Sequence, residues 1–356
     1  LLMNKMASIQ NDHPEFWEIK NFAQNVGNII IYTSNKENAD AKIDIMNKLI
    51  DVQQNYPEIW EIENLVQNIG NILIYTNNKE NADAKIDIIN KLIDTQQNNP
   101  KIWEIETFAQ NVGNIISYTK NKESAEAKID IINKLIDIQQ NYPEILNNEN
   151  FANQIGNIIN YTTDKNNAQM KIAIINKIIS IQNNNPELWN NKNFARNIGD
   201  LIRWIQNEKT YNIVSEILKH SEYWQNEDFL NRMGLFMSKS NDSNCCAVIS
   251  EILQHPQLWK SKNFVDNIKN IVYYSTDEES TNAKITIINK ITGIQQNNPQ
   301  LYENIASYIG NIINYTSDEN DAMAKITIMD KIAEVKQNYP EILEIKNLVQ
   351  NIGNIL

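Results

Sequence analysis

Residues 57–99 read PEIWEIENLVQNIGNILIYTNNKENADAKIDIINKLIDTQQNN. The stretch from Pro14 before it and those from Pro100, Pro143 and Pro186 after it open in the same way, at intervals of 43 residues. All eight prolines of the 356-residue chain hold this one position or its later counterparts, and seven of its nine glycines fall thirteen residues on: Gly27, Gly70, Gly113, Gly156, Gly199, Gly234 and Gly353. A fixed period of this length marks a tandem array, in which each unit buries its apolar face only by stacking on its neighbours.

Followed along the chain, the period sets the organisation of a single array. Residues 1–13 are a partial copy, 14–185 are regular 43-residue copies, 186–255 are two shorter copies of 35 residues, 256–339 are two long copies, and 340–356 are partial again. The second short copy opens at Ser221 instead of proline, and the copy from Pro299 lacks two residues, which places its glycine at Gly310. Both ends fall inside a copy, so the sequence is expected to be an excerpt of a longer array, because solenoids need polar capping units over their end faces.

Within a copy the apolar spacing is helical throughout. The Pro-Glu-apolar opening suits the first turn of a short helix, where a missing N–H is harmless. Asn21, Asn64, Thr107, Asn150, Asn193, Asp228, Asn263 and Asn347 are then expected to cap the first helix of their copies. Its apolar stripe, Phe22, Val26, Ile29 and Ile30, ends near Tyr32-Thr33. Gly27 lies inside that helix at a cost of about 1 kcal/mol relative to alanine, so its recurrence predicts a backbone brought close to the neighbouring helix. Asn35, Asn78, Asn121, Asp164, Asp277 and Asp318 are placed to cap a second helix, which in the first full copy runs to about Gln54. Ala39, Ile43, Met46 and Ile50 form one apolar stripe on it, and Ile45, Leu49 and Val52 a second, as in a helix buried on two sides. The expected fold is all-α, an α-solenoid of about eight tandem units.

This pattern resembles the HEAT and armadillo class of α-solenoids over essentially the whole chain. HEAT-like units form a ladder between an acidic or amide residue in the turn and a basic residue early in the second helix. Asn35 with Lys42, Asn78 with Lys85, Asn121 with Lys128, Asp164 with Lys171, Asp277 with Lys284 and Asp318 with Lys325 look similar, at a spacing of seven residues. HEAT repeats use a spacing of six and a proline where this first helix has glycine. The early proline and later glycine are closer to an armadillo unit, yet the Trp-then-Asn pair of that family's last helix is absent. The class is assigned and the family stays open. The resemblance implies a right-handed superhelix with second helices on its concave side, and a role in binding proteins rather than in catalysis.

Composition bounds the partner. A net charge of -12 and a pI near 4.9 disfavour nucleic acid and favour a basic protein or peptide. No segment approaches the length of apolar run that inserts into a membrane. The only cysteines, Cys245 and Cys246, are adjacent and cannot staple distant parts of the fold, which points to a reducing compartment and a cytoplasmic location. Asn makes up about one residue in six and Lys far outnumbers Arg, a bias associated with AT-rich genomes. His13, His220 and His255 share the slot before the proline or its substitute, so they read as structural residues and not as metal ligands. There is no Gly-rich phosphate loop and no zinc or nucleophile motif, so no catalytic residue, metal or cofactor is expected.

What remains is the exposed face of the second helix. In the first three full copies it carries Asp40, Asp44, Asn47 and Asp51, then Asp83, Asp87, Asn90 and Asp94, then Glu126, Asp130, Asn133 and Asp137. Offsets of four, seven and eleven residues put each set in one column. Later copies lose the charge, with Gln169, Ala173, Asn176 and Ser180, then Asn282, Thr286, Asn289 and Gly293. Carboxylates and amides so arranged suit the Lys or Arg side chains and the backbone of a basic segment. The alternative is a solvated face with i,i+4 pairs of Asp44 with Lys48, Asp87 with Lys91 and Asp130 with Lys134. A second candidate is Arg203, which lies with Arg196 and Arg232 in the short copies beside Trp204 and Trp224, residue types that dominate interface hot spots. Two other functions stay open: an architectural array that self-assembles, and the repeat part of a larger protein whose activity lies elsewhere.

Overall fold

The computed structural model describes residues 1–339 except 191, 221–222, 224–225, 227, 230–231, 233, 235, 237–238 and 240–241. Among these residues the fold is all helix, with no strand. The chain divides into two compact units, Leu1–Asn207 and Glu208–Leu356.

In the first unit each copy opens on a proline at the first position of a short helix, as in Pro14–Trp17, Pro57–Trp60 and Pro143–Leu146, or of a 3₁₀ turn, as in Pro100–Glu104. The second helices, Lys36–Asn55, Lys79–Asn98, Lys122–Asn141 and Lys165–Asn184, each pack against the next. Their starts are fixed as the sequence predicts. The side-chain oxygens of Asn35, Asn78, Asn121 and Asp164 accept from the backbone N–H three residues on at 2.8, 2.8, 2.9 and 2.8 Å. Losing such a cap typically costs about 1 kcal/mol. The capped residue then reaches into the following copy. Asn38 Nδ2 donates to the Thr76 and Asn77 carbonyls at 3.1 and 2.7 Å, and Asn81 Nδ2 to those of Thr119 and Lys120 at 2.7 and 2.8 Å.

The ladder expected from the HEAT-like pairs does not form. The cap side chains are engaged by their own helix, and the lysine seven residues on folds inward to the first helix of its copy. Lys85 Nζ donates to the Ile72 carbonyl and to Thr76 Oγ1, both at 3.0 Å. Lys128 repeats this with Ile115 and Thr119 at 3.0 and 3.1 Å. Lys171 meets the Ile158 carbonyl at 3.2 Å, the Tyr161 carbonyl at 2.8 Å and Thr162 Oγ1 at 3.1 Å, three acceptors for the three donors of an ammonium. These carbonyls are the orphans at a helix C-terminus, where the backbone dipoles favour a cation. Lys42, Lys85, Lys128 and Lys171 are all buried, with 1 % exposure or less. Burial pulls the pKa of Lys42 down to about 8 and those of Lys85, Lys128 and Lys171 to about 7.

The first helix starts earlier than expected, and its predicted caps do something else. Lys20–Ile31 and Glu63–Ile74 follow Ile19 and Ile62, so Asn21 and Asn64 lie inside the first turn. Asn21 Oδ1 instead accepts from Gly70 N–H of the next copy at 2.7 Å, and Asn64 Oδ1 from Gly113 N–H at 2.8 Å. The glycine is required by this approach. A Cβ on Gly70 would stand 2.6 Å from Asn21 Oδ1, and one on Gly113 would run into the Asn64 carbonyl oxygen. Gly27 has no such neighbour and nothing within 4 Å of the same point. In later copies the first helix is broken, as at Glu149–Ala152 and Ile155–Asn160. There the Ala152 carbonyl, at the break, accepts from Thr107 Oγ1 of the preceding copy instead of continuing the helix.

The second unit uses the same devices. Ser243–Leu253, Lys262–Tyr273, Glu278–Asn297 and Glu319–Asn338 are capped by Asp242, Ser261, Asp277 and Asp318. Ser261 Oγ also donates to the Ala306 carbonyl at 2.6 Å, again just past the end of the helix Pro299–Ile305. Lys284 is buried and donates to the Tyr274 carbonyl at 2.6 Å, and Lys325 to that of Tyr315 at 3.0 Å.

Two outcomes follow for stability. Gly113→Ala should lower it by about 1–3 kcal/mol through overpacking, whereas Gly27→Ala should raise it by up to about 1 kcal/mol through helix propensity; urea melts of both variants separate the two effects. The lysines set a pH dependence. Each is protonated in the unfolded chain up to about pH 10.4, yet loses its proton near pH 7 when folded at Lys85, Lys128 and Lys171. Between these limits the unfolded state binds more protons, so the urea midpoint should rise as pH increases from 7 to about 9.5. Lys85→Met with Lys128→Met should flatten that slope; an unchanged slope in the double variant contradicts the assignment.

Candidate functional site

The predicted columns lie on the solvent side of their helices. Asp40, Asn47, Asp83, Asp87, Asn90, Asp94, Glu126 and Asn133 are exposed, and Asp44, Asp51, Asp130 and Asp137 are half-buried. Eleven residues of helix spread each column over about 16 Å. The helices that carry them pack side by side, which brings neighbouring columns within about 8–10 Å of one another.

The ion pairs differ from those expected at i,i+4. Lys48, Lys91 and Lys134 turn toward the carboxylate that follows them, Asp51, Asp94 and Asp137, at 2.9, 2.9 and 2.7 Å. Asn55, Asn98 and Asn141 donate to the other oxygen of the same carboxylates at 2.8, 2.7 and 2.7 Å. These hydrogen bonds, the lysine's first, hold Asp51, Asp94 and Asp137 below the usual carboxylate range. The reason is local: a lysine whose stem lies along the apolar face places its ammonium nearest the third residue on, where the amide completes the cage. Lys79 joins Asp44 at 2.9 Å to Asp83 at 2.7 Å across the boundary between copies, and its own pKa rises to about 12 through these bonds, Asp83's first. Lys122 lies 3.8 Å from Glu126. Asp40, Asp87 and Asp130 have no hydrogen-bond or ion-pair partner among the described residues. The columns therefore combine neutralised carboxylates with uncompensated ones, which stand at the start of the first column and in the middle of the second and third.

Arg203 is half-buried and already engaged. Its guanidinium lies 5.0 Å from the Trp204 ring and 6.0 Å from that of Tyr161, and it pairs with Asp200 at 3.3 Å. Trp224 lies outside the described residues. His220 meets Glu216 and His255 meets Glu251, each at 3.1 Å, while His13 meets Gln54 and His255 also meets Asn289, each at 3.3 Å. Among the described residues no cluster of His, Cys, Asp and Glu has the geometry of a metal site. Nor is any helix among them long and apolar enough to cross a membrane.

A row of tyrosines, not apparent from the apolar periodicity, completes the surface of the first unit. Tyr32, Tyr75, Tyr118 and Tyr161 end successive first helices with 47 % or more of their surface exposed. The signal was present in the recurrence of an aromatic residue where the apolar stripe should close. It was masked because tyrosine also suits the rim of a core. No protein-family model and no curated protein matches this chain.

Proposed function

We propose that the chain is a right-handed α-solenoid of the HEAT or armadillo type, with about eight units, acting as a non-enzymatic scaffold. In this reading the columns from Asp40 to Asp137 receive a basic peptide or protein segment. The observation that supports it is the unequal pairing within the columns. Asp87 and Asp130 are carboxylates on adjacent packed helices without a cation of their own, while Asp94 and Asp137 one or two turns on are neutralised by lysine. A partner's Lys or Arg fits the first pair and gains nothing at the second. The overall charge of -12 steers such a partner inward at low salt. The two free cysteines, Cys245 buried and Cys246 half-buried, suit a reducing, cytoplasmic setting.

The test is a titration of the full chain with a Lys/Arg-rich extended peptide. Asp87→Asn with Asp130→Asn should weaken binding on the order of tenfold at low ionic strength, since each exposed pair contributes up to about 1 kcal/mol. The difference should vanish at high salt. Asp94→Asn with Asp137→Asn should leave affinity nearly unchanged and lower thermal stability slightly. Equal affinities for wild type and the Asp87/Asp130 variant would reduce the columns to a solvated face.

A further inference from the structure

The tyrosine row lies at the turns between first and second helices. Tyr75 is 49 %, Tyr118 53 % and Tyr161 47 % exposed, whereas Phe108 and Phe151 of the same copies are buried to 1 % or less. Tyr75 and Tyr118 stack with ring centroids 6.1 Å apart and planes 27° from parallel. Between consecutive turns lie two clefts built alike. One of about 480 Å³ runs from Tyr75 to Tyr118, and one of about 410 Å³ from Tyr118 to Tyr161. Lys120 lines both.

Most of the oxygen atoms in these walls are already engaged. Thr119 Oγ1 donates to the Ile115 carbonyl at 2.7 Å and accepts from Lys128 at 3.1 Å. The Thr119 and Lys120 carbonyls accept from Asn81 Nδ2, and the Oδ1 atoms of Asn78 and Asn121 accept the cap hydrogen bonds. What the clefts still offer is the tyrosine ring edges and the faces not covered by the Tyr75–Tyr118 stack or by Arg203, the Nδ2 groups of Asn78 and Asn121, and Lys120, whose ammonium has no carboxylate within ion-pair distance among the described residues. The surface is aromatic, rich in donors and locally positive, in a chain that is acidic elsewhere.

Such a surface suits a ligand with flat apolar bodies, many acceptors, few donors and a carboxylate. A polyproline II chain has these properties: proline carries no N–H, and its carbonyls face outward. We propose that the clefts at Tyr75, Tyr118 and Tyr161 dock an extended, proline-rich, acidic segment of a partner protein, with a proline at each cleft and Asp or Glu at Lys120. Charge complementarity selects this occupant, because Lys120 is the one charged residue in the lining of either cleft. Carbohydrate is disfavoured, since hydroxyl groups donate as often as they accept and the wall oxygens are mostly engaged. The site is independent of the acidic columns, whose occupant carries the opposite charge.

The experiment is fluorescence anisotropy of the full chain with a labelled peptide of repeated Pro-Glu-Ala, beside versions with Gly for Pro and Gln for Glu. The proline peptide should bind at least about tenfold more tightly than the glycine peptide. Tyr118→Ala, which opens both clefts, should remove at least about tenfold of that affinity while the chain keeps its helical circular-dichroism spectrum. Lys120→Glu, fully on the surface, should weaken the Glu peptide but not the Gln peptide, and a Pro-Lys-Ala peptide should recover binding to it. Equal binding of proline and glycine peptides, wild-type affinity in both variants, or capture of a soluble glucan without the peptide would each overturn the assignment.

Discussion

The fold depends on a buried lysine amino group laid against the end of a helix. In each long copy the lysine seven residues past the cap donates to the last carbonyls of the first helix, and so fixes the angle at which the second helix returns. A leucine in that place would fill the volume but leave the carbonyls of Ile72, Ile115 and Ile158 with the threonine hydroxyl as their one side-chain donor. Desolvation makes the charge expensive, and the cluster of acceptors at the helix end offsets part of that cost. No carboxylate takes part in the first unit, which separates this clamp from a salt bridge and makes its strength insensitive to ionic strength.

Copies are then joined by polar contacts of fixed reach. The amide of Asn38 or Asn81 spans 38 or 39 residues to the next turn, and the amide of Asn21 or Asn64 spans 49 to the next glycine. Between these lines of hydrogen bonds lie the Ile and Leu faces of both helix layers. The apolar faces supply most of the stability, but they tolerate sliding. The amide contacts do not, because a shift of one residue would leave a buried carbonyl or N–H unpaired. Register between copies is therefore set by polar groups and stability by apolar ones.

Much of this was legible in the sequence. The second helices, their caps and the reason for the glycines followed from spacing alone, since capping and close approach are local demands on one residue type. The partners of Asn21, Asn38 and Lys85 were not legible. Each has two plausible targets, one within its own copy and one elsewhere, and only the packed geometry decides between them. The ion pairs show the same limit: Lys48 can turn toward Asp44 or Asp51 by sequence, and it is the stem's position on the apolar face that selects Asp51. The tyrosine row was visible as a recurrence, but exposure is a property of the stack and not of the residue.

The contact between Asn64 and Gly113 has a consequence for how such a chain changes over generations. Its two halves sit in adjacent copies, and the copies from Pro14 and Pro57 each carry both residues, whereas the copy from Pro100 has Thr107 in place of the asparagine and that from Pro256 has Lys269 in place of the glycine. Duplication or loss of the unit from Pro57 therefore preserves this contact, because the new junction joins an asparagine that already fits a glycine. A point change at either residue enjoys no such protection, since its complement lies in another copy and must change separately. The array can thus alter its length by recombination far more readily than it can alter the chemistry of its seams.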